Sequence, residues 1–455
     1  MTRPVRFLWR GETVELDRFQ PTTMLLDWLR IERRAVGTKE GCNEGDCGAC
    51  RVAVCRLEGD RLVVEPVNAC ILVLGQLDGR MLVTVEDLAE GGTLHPVQQA
   101  MVRHHASQCG FCTPGFVMSL FAMTHSIDGP VSKARVDDWV AGNLCRCTGY
   151  RPISDAGLAL ADMPPEDVLA RSRAEIVGKL RGLRDSEDVF VGDASGFFAA
   201  PASEASLLDL LDRHRDATIL AGATDVGLWV TKRLDTLPKI VWLGRVAGFD
   251  TIEDKGDRVV LGAGVTYARS EATMAAIDPD LGELWRRIGS KQVRASGTVC
   301  GNVANGSPIG DTPPALLALG CEVELATAAG ARSIPLEAFH VAYGKQARER
   351  HEVVTRLTIM KPGPNDRFRA YKISKRFDQD ISAVMAAFRL TVVDGVVVAA
   401  RVAYGGLAAT PKRAGAVEAA LVGASVADPA THAAALAAVA ADFQPITDMR
   451  ASAGY

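Results

Sequence analysis

Gly41-Cys42-Asn43-Glu44-Gly45-Asp46-Cys47-Gly48-Ala49-Cys50 is the stretch on which the fold turns. Its cysteines are spaced C-x4-C-x2-C, and Cys70 follows at a distance. That is the plant-type ferredoxin arrangement for a 2Fe-2S cluster. Thiolates must converge on two irons, and backbone N–H groups must point at the sulfurs to stabilise their charge. Gly41, Gly45 and Gly48 permit the tight, partly left-handed path this needs. The rival is a structural zinc site, but zinc favours two short cysteine pairs over three cysteines in one loop.

Outward from this loop the chain alternates like strands. Val5, Phe7 and Trp9 fall on one face, and Gly11-Glu12 offers a turn before Val14. Thr22 or Thr23 is placed to cap a helix whose Leu25, Leu26 and Leu29 share a side. Val52–Val54 and Leu62–Val64 read as strands joined at Glu58-Gly59-Asp60, with Cys55 packing in a core. A small mixed sheet with one helix is expected. From about His95 to Leu160 the pattern becomes helical, with glycine and cysteine at the joints.

A second cysteine set lies in that helical part. Gln108-Cys109-Gly110-Phe111-Cys112-Thr113-Pro114-Gly115 holds a C-x2-C, and Asn143-Leu144-Cys145-Arg146-Cys147-Thr148-Gly149 a C-x-C. Taken alone, this pair also suits zinc; following a ferredoxin loop, it points to a second 2Fe-2S centre between helix ends. Nine of the eleven cysteines lie between Cys42 and Cys147, and clustering in a reducing compartment favours metal ligation over disulfides. Cys300 and Cys321 read as packing residues.

Bulk properties bound the rest. The 455 residues suggest about three domains. With 48% hydrophobic and 23% charged residues, the composition is that of a soluble globular protein. A formal net charge of −4 gives no reason to expect nucleic acid or an anionic membrane as partner. Met1-Thr2-Arg3-Pro4-Val5-Arg6 does not read as a signal core, and no apolar run is long enough to span a bilayer. A cytoplasmic location is therefore expected. The alanine-rich stretch Ala433–Ala441 reads as a helix in a core. Residues 164–192, opened by Pro164 and Pro165 and dominated by charges, read as a linker across the surface.

Together the two cysteine sets resemble the N-terminal module of the xanthine dehydrogenase and aldehyde oxidase family. The segments that carry the resemblance are Gly41–Cys50, Gln108–Gly115 and Gly142–Tyr150. It implies an α+β multidomain chain. Residues 1–85 would form a β-grasp domain with Cys42, Cys47, Cys50 and Cys70 on the first cluster. Residues 86–163 would form a helical bundle with Cys109, Cys112, Cys145 and Cys147 on the second. After the linker, residues 193–363 would bind FAD and 364–455 would form a smaller α+β domain. The position of Gln108 touches the pterin of the molybdenum cofactor in the family; a solvent-facing glutamine is the plainer alternative.

No G-x-G-x-x-G follows a strand, so a Rossmann fingerprint is absent. Two other loops are dense in small and hydrogen-bonding residues: Ile219–Val226 and Gly297–Asp311. Singly, each reads as a loop. The resemblance assigns both to FAD, with Leu220, Ala221, Gly222, Ala223, Thr224, Asp225 and Val226 at the diphosphate. Thr298, Gly301, Asn302, Asn305, Ser307 and Asp311 would line the ribityl and adenosine portions. Lys372 would face the flavin, and Tyr343 would lie near the nicotinamide dinucleotide. Ile288 departs from members that carry an aromatic ring there, which puts nicotinamide stacking in question.

The family's chemistry implies a wire running from a molybdenum centre through both clusters to FAD and on to NAD. No molybdenum domain is visible in the sequence. A separate large subunit carrying the molybdenum cofactor is therefore expected, in a dimer of heterodimers. No catalytic side chain is expected in this chain, whose redox group is FAD. Hypoxanthine and xanthine are the expected substrates, with aldehydes or other N-heterocycles as the alternative within the family. A non-catalytic zinc protein is the rival of another class.

Overall fold

Alternation at the N-terminus makes a hairpin, Val5–Trp9 with Glu12–Leu16, in the computed structural model, which describes residues 2–126, 129–162 and 166–455. Arg10 and Gly11 take φ of 53° and 81°, as a two-residue turn with both central residues left-handed requires. The described residues form two units. The first runs to Leu207 and adds Ala217–Arg245 and Gly289–Ser296; the second comprises Leu208–Asp216, Val246–Ile288 and Gly297–Tyr455.

In the first unit the hairpin joins a five-stranded sheet in the order Glu12–Leu16, Val5–Trp9, Met81–Val83, Arg51–Glu58, Arg61–Asn68. Val5–Trp9 and Met81–Val83 run parallel. One face buries Phe7 and Trp9 against Trp28, with the Phe7 and Trp28 ring centroids 5.6 Å apart. The other buries Leu8, Ala53 and Cys55 in a core shared with the helix Thr113–Ser126. Leu25, Leu26 and Leu29 are buried as their spacing predicts. The expected threonine cap is corrected: Met24 is the N-cap, without a side-chain bond. Leu72 O and Ala69 O accept from Leu25 N and Leu26 N instead, so backbone satisfies donors that Thr22 or Thr23 was expected to serve.

The helices Pro96–Arg103, Thr113–Ser126, Lys133–Val140 and Arg151–Ala159 follow. Thr113–Ser126 is apolar all round and buried from Gly115 to Met123. The linker reading of 164–192 is also corrected. Helices Val168–Arg171 and Arg173–Gly182 bury Leu169, Ile176 and Leu180 in the helical core. Large apolar residues are few there, but Ile176 and Leu180 share one face at helical spacing. Met1, Pro164 and Pro165 lie outside the described residues.

From Asp188 the chain builds a second five-stranded sheet, ordered Thr2–Arg3, Asp188–Asp193, Gly196–Ala200, Lys239–Trp242, Thr218–Leu220. Lys239–Trp242 is parallel to both its neighbours. A buried charge network closes around this sheet's edge. Asp78 takes Arg3 Nη1 at 2.8 Å and Arg245 Nη1 at 2.6 Å, and Arg245 Nη2 also reaches Asp185 at 2.8 Å.

The second unit has an antiparallel sheet of Ile252–Asp254, Arg258–Gly262, Val353–Met360, Glu322–Thr327 and Gly330–Pro335. A four-stranded sheet of Asp366–Ile373, Val384–Val393, Val396–Gly405 and Lys412–Arg413 follows. Cys300 and Cys321 are buried here, and burial raises both thiols' pKa values. The C-terminal helix Pro429–Asp442 corrects the reading of Ala433–Ala441 as a core helix. Leu436 is 75% exposed, and only the narrow side at Ala435, Ala438 and Val439 packs inward. No helix among the described residues is long and apolar enough to cross a membrane.

Candidate electron-transfer centres

The first loop leaves the sheet through backbone that few residues adopt: φ is 54° at Asn43, 79° at Gly45 and 69° at Gly48. A Cβ at Gly41 would lie 2.8 Å from Cys47 Sγ, so only glycine lets that sulfur approach. The four thiols hydrogen-bond in a chain, Cys47–Cys42–Cys70–Cys50. Asp46 N and Cys47 N point at Cys42 Sγ from 3.4 and 3.3 Å. Bonds from Cys47 and Cys70 hold the Cys42 thiol well below its ordinary pKa, while Cys47 and Cys70 are pushed above theirs. Negative charge is thus favoured at Cys42 and disfavoured at Cys47 and Cys70. Among the described residues no three His, Cys, Asp or Glu side chains are grouped as ligands of a single ion.

Behind this loop the first strand residue is Arg51, whose fully buried guanidinium donates to Ser119 Oγ and to Trp139 O. Burial lowers its pKa to about 9 against the pull of Cys50 and Cys47, so it remains charged at neutral pH.

The second set lines a cavity of about 390 Å³ with Phe111, Leu144, Arg146 and Tyr150. Cys109, Cys112, Cys145 and Cys147 all face it. Gly110, Gly149 and Tyr150 take φ of 84°, 68° and 70°, which turn the loops back on themselves. Cys109 and Cys112 precede the helix Thr113–Ser126, whose partial positive N-terminus suits thiolates. Thr148 N and Oγ1 approach Cys145 Sγ at 3.4 and 3.2 Å. Burial and the contact with Cys145 push the Cys112 thiol up to about 12.

The two loops interlock. Asn143 Nδ2 donates to Gly48 O at 3.2 Å, and its Oδ1 accepts from Ser119 Oγ at 2.7 Å. A Cβ on Gly115 would stand 2.1 Å from Gly48 O, and one on Gly48 2.4 Å from Gly142 O. Of the residues here, Arg51 and Ser119 carried no sequence signal. Asn143 and Gly115 stood within quoted motifs, but as neighbours of cysteines.

The residues assigned to FAD fall into both units. In the first, the strand Thr218–Leu220 ends in a loop where Ala223 takes φ of 66°, before the short helix Val226–Thr231. Ala221 O is tied down by Trp242 Nε1 and Gln76 Nε2, both at 3.1 Å. The N–H groups of Ala223 and Thr224 make no turn or side-chain hydrogen bond among the described residues. Such free, adjacent amides suit a pyrophosphate.

In the second unit Thr298 caps the helix Val299–Asn305 through Gly301 N at 3.0 Å, and Gly306 ends it at φ 68°. Asn302 Oδ1 is buried without a hydrogen-bond partner among the described residues, as expected of a side chain that awaits a ligand donor. Asn305 and Ser307 are half-buried on the same turn. Asp311 pairs with the buried Lys372 and accepts from Ser382 Oγ at 2.5 Å. Ile288 is half-buried, whereas Tyr343 and Gln108 are exposed.

Comparison with known proteins accounts for both kinds of centre. Residues 7–74 match the family described as "2Fe-2S iron-sulfur cluster binding domain", and residues 84–158 the "[2Fe-2S] binding domain". Residues 193–362 match "FAD binding domain in molybdopterin dehydrogenase" and 369–455 "CO dehydrogenase flavoprotein C-terminal domain". A solved chain of reconstituted CO dehydrogenase from Oligotropha carboxidovorans is 30% identical, with a TM-score of 0.53 over 56% of this chain and 90% of that one. The chain belongs to the molybdenum hydroxylase family. As a molybdenum hydroxylase chain it holds two 2Fe-2S clusters and FAD.

Two further similarities bear on this hydroxylase. Xanthine dehydrogenase of Drosophila pseudoobscura pseudoobscura is 29% identical over 467 residues, covering 90% of this chain. Quinoline 2-oxidoreductase from Pseudomonas putida 86 is 28% identical, with a TM-score of 0.52 over 56% of this chain and 89% of the solved one. The chain spans 35% of the length of the Drosophila relative.

Proposed function

We propose that this chain is the electron-transfer subunit of a xanthine dehydrogenase, taking electrons from a molybdenum centre on a partner subunit and delivering them to NAD. The observation that carries the reading is the xanthine dehydrogenase match, which extends over 90% of this chain. It therefore runs across both the iron–sulfur and the flavin parts.

The residues divide the work. Cys42, Cys47, Cys50 and Cys70 would hold the first cluster, and Cys109, Cys112, Cys145 and Cys147 the second. Leu220–Val226, through amides such as those of Ala223 and Thr224, would bind the FAD diphosphate; Thr298, Gly301, Asn302, Asn305, Ser307 and Asp311 would line its ribityl and adenosine portions, and Lys372 would face the ring. FAD supplies the junction between one-electron and two-electron chemistry when bound. Lys372, held by Asp311, would place a fixed positive charge beside it. Gln108, exposed beside Cys109, would meet the partner's pterin, and Tyr343 the nicotinamide dinucleotide.

The test is co-expression with a molybdenum-bearing large subunit in a dimer of heterodimers, assayed for xanthine-dependent NAD reduction. Turnover of an aldehyde or another N-heterocycle in place of xanthine would favour the second reading, which the likeness to the quinoline enzyme supports. Reduction of dioxygen but not NAD would replace the acceptor.

A further inference from the structure

Arg51 follows Cys50 directly and is 1% exposed. Its Nη1 donates to Ser119 Oγ and, at 3.1 Å, to Trp139 O. Nε and Nη2 have no hydrogen-bond partner among the described residues. The acidic groups placed to act on it are the thiols of Cys50 and Cys47, with no carboxylate among them. A hydroxyl and a carbonyl are dipoles and do not neutralise an ion. An uncompensated buried charge is strongly disfavoured, so some anion must face it in the working protein.

A 2Fe-2S cluster supplies that anion. Two ferric ions, two sulfides and four thiolates make a dianion, and adding one electron makes a trianion. A fixed cation nearby stabilises the trianion more than the dianion, and low surrounding dielectric strengthens the effect. We propose that Arg51 is the resident counter-charge of the first cluster and holds that cluster's reduction potential up. The second cluster's cavity is lined instead by an exposed arginine, Arg146, whose charge water and salt screen. The first cluster is thereby made the better electron acceptor of the two, which favours flow away from the second. This inference rests on Cys42, Cys47, Cys50 and Cys70 being the first ligand set.

The experiment uses the full chain with its clusters. Iron and acid-labile sulfide are measured first; if wild-type protein lacks two clusters, the ligand reading fails and Arg51 is not at issue. Anaerobic potentiometric titrations followed by electron paramagnetic resonance are then run on wild type, Arg51→Gln and Arg51→Lys. The signal that survives Cys109→Ser identifies the first cluster. Arg51→Gln is expected to lower that signal's midpoint potential and leave the other in place, while Arg51→Lys stays near wild type. Loss of the first signal in the glutamine variant alone would carry the same conclusion, since charge would then be needed to retain the cluster. An unchanged or raised potential in Arg51→Gln, or an equal shift of both signals, overturns the proposal. So does a lysine variant that behaves like the glutamine one, because shape rather than charge would then matter.

Discussion

Leu144 donates its backbone N–H to the carbonyl oxygen of Cys47 at 2.9 Å. Cys47 belongs to the first cysteine set, and Leu144 is bonded to Cys145 of the second. One hydrogen bond therefore joins the two sets through otherwise covalent chain. Asn143, immediately before Leu144 and 2% exposed, holds the loops in register through Gly48 O and Ser119 Oγ. Asn143→Ala would remove both bonds while Gly48 O keeps Arg51 N and Ser119 Oγ keeps Gly115 O and Arg51 Nη1, so the cost is about 0.5–1.5 kcal/mol for each bond lost. Both clusters are expected to form, with electron exchange between them slowed. Rapid-mixing kinetics that resolve the two clusters' reduction check this; an unchanged rate would show that the bond is not on the path.

Asp78 offers a prediction about stability alone. Its fully buried carboxylate is shared by Arg3 and Arg245, which come from distant parts of the chain. Asp78→Ala would leave two nearly buried guanidinium groups with Asp185 as their one remaining carboxylate among the described residues. Removing one partner from a buried ion pair typically costs about 3–5 kcal/mol. Denaturant unfolding should show a loss of that order, whereas Asp209→Ala, on an exposed pair with Arg213, should change little.

How much of this was legible in the sequence differs by feature. The cysteine loops were, because spacing and glycines are local properties of the chain. The pairing of the loops through Leu144 and Cys47 was not, since it joins residues about a hundred positions apart. The segment 164–192 reads as a linker because its charges outnumber its large apolar residues, yet Leu169, Ile176 and Leu180 suffice to seat it. The tail helix was misread in the opposite sense: alanines make a helix but too narrow an apolar stripe to bury it. Arg51 was invisible because a strand-borne arginine is ordinarily exposed, and only tertiary packing by Ser119 and Trp139 encloses it.

Asp167 links that misread segment to the helical core. Its Oδ2 lies 2.8 Å from His95 Nε2 and 2.6 Å from His125 Nε2, with all three side chains nearly buried. Burial raises the Asp167 pKa, but the bonds with His125 and then His95 outweigh it, so the net value falls well below the ordinary 3.8. A carboxylate depressed in the folded state contributes stability that is complete above its unfolded pKa. That contribution is lost as pH falls from about 4 toward the folded value. Asp167→Asn should therefore narrow its stability gap from wild type as the pH is lowered from about 6 to 3. Denaturant unfolding across that range provides the check; a gap that widens with acid would reverse the assigned sign.

The last prediction tests the proposed diphosphate loop. Ala223 is held at φ 66° and is 4% exposed, in a region that costs a residue with a side chain about 1–2 kcal/mol. Ala223 O accepts from Gly227 N at 2.7 Å, so the strained turn is fixed to the helix that follows. A β-branched residue disfavours this conformation still more than alanine. Ala223→Val is expected to move the amides of Ala223 and Thr224 out of line and deplete FAD. Ala223→Gly relieves the strain and is expected to retain FAD, with stability equal or higher. Both cysteine sets lie on other loops, so iron and sulfide should persist in each variant. The FAD-to-iron ratio of purified protein is the measurement. Full FAD in Ala223→Val would mean that the diphosphate lies elsewhere, while parallel loss of iron would mean that the substitution had disturbed the unit as a whole.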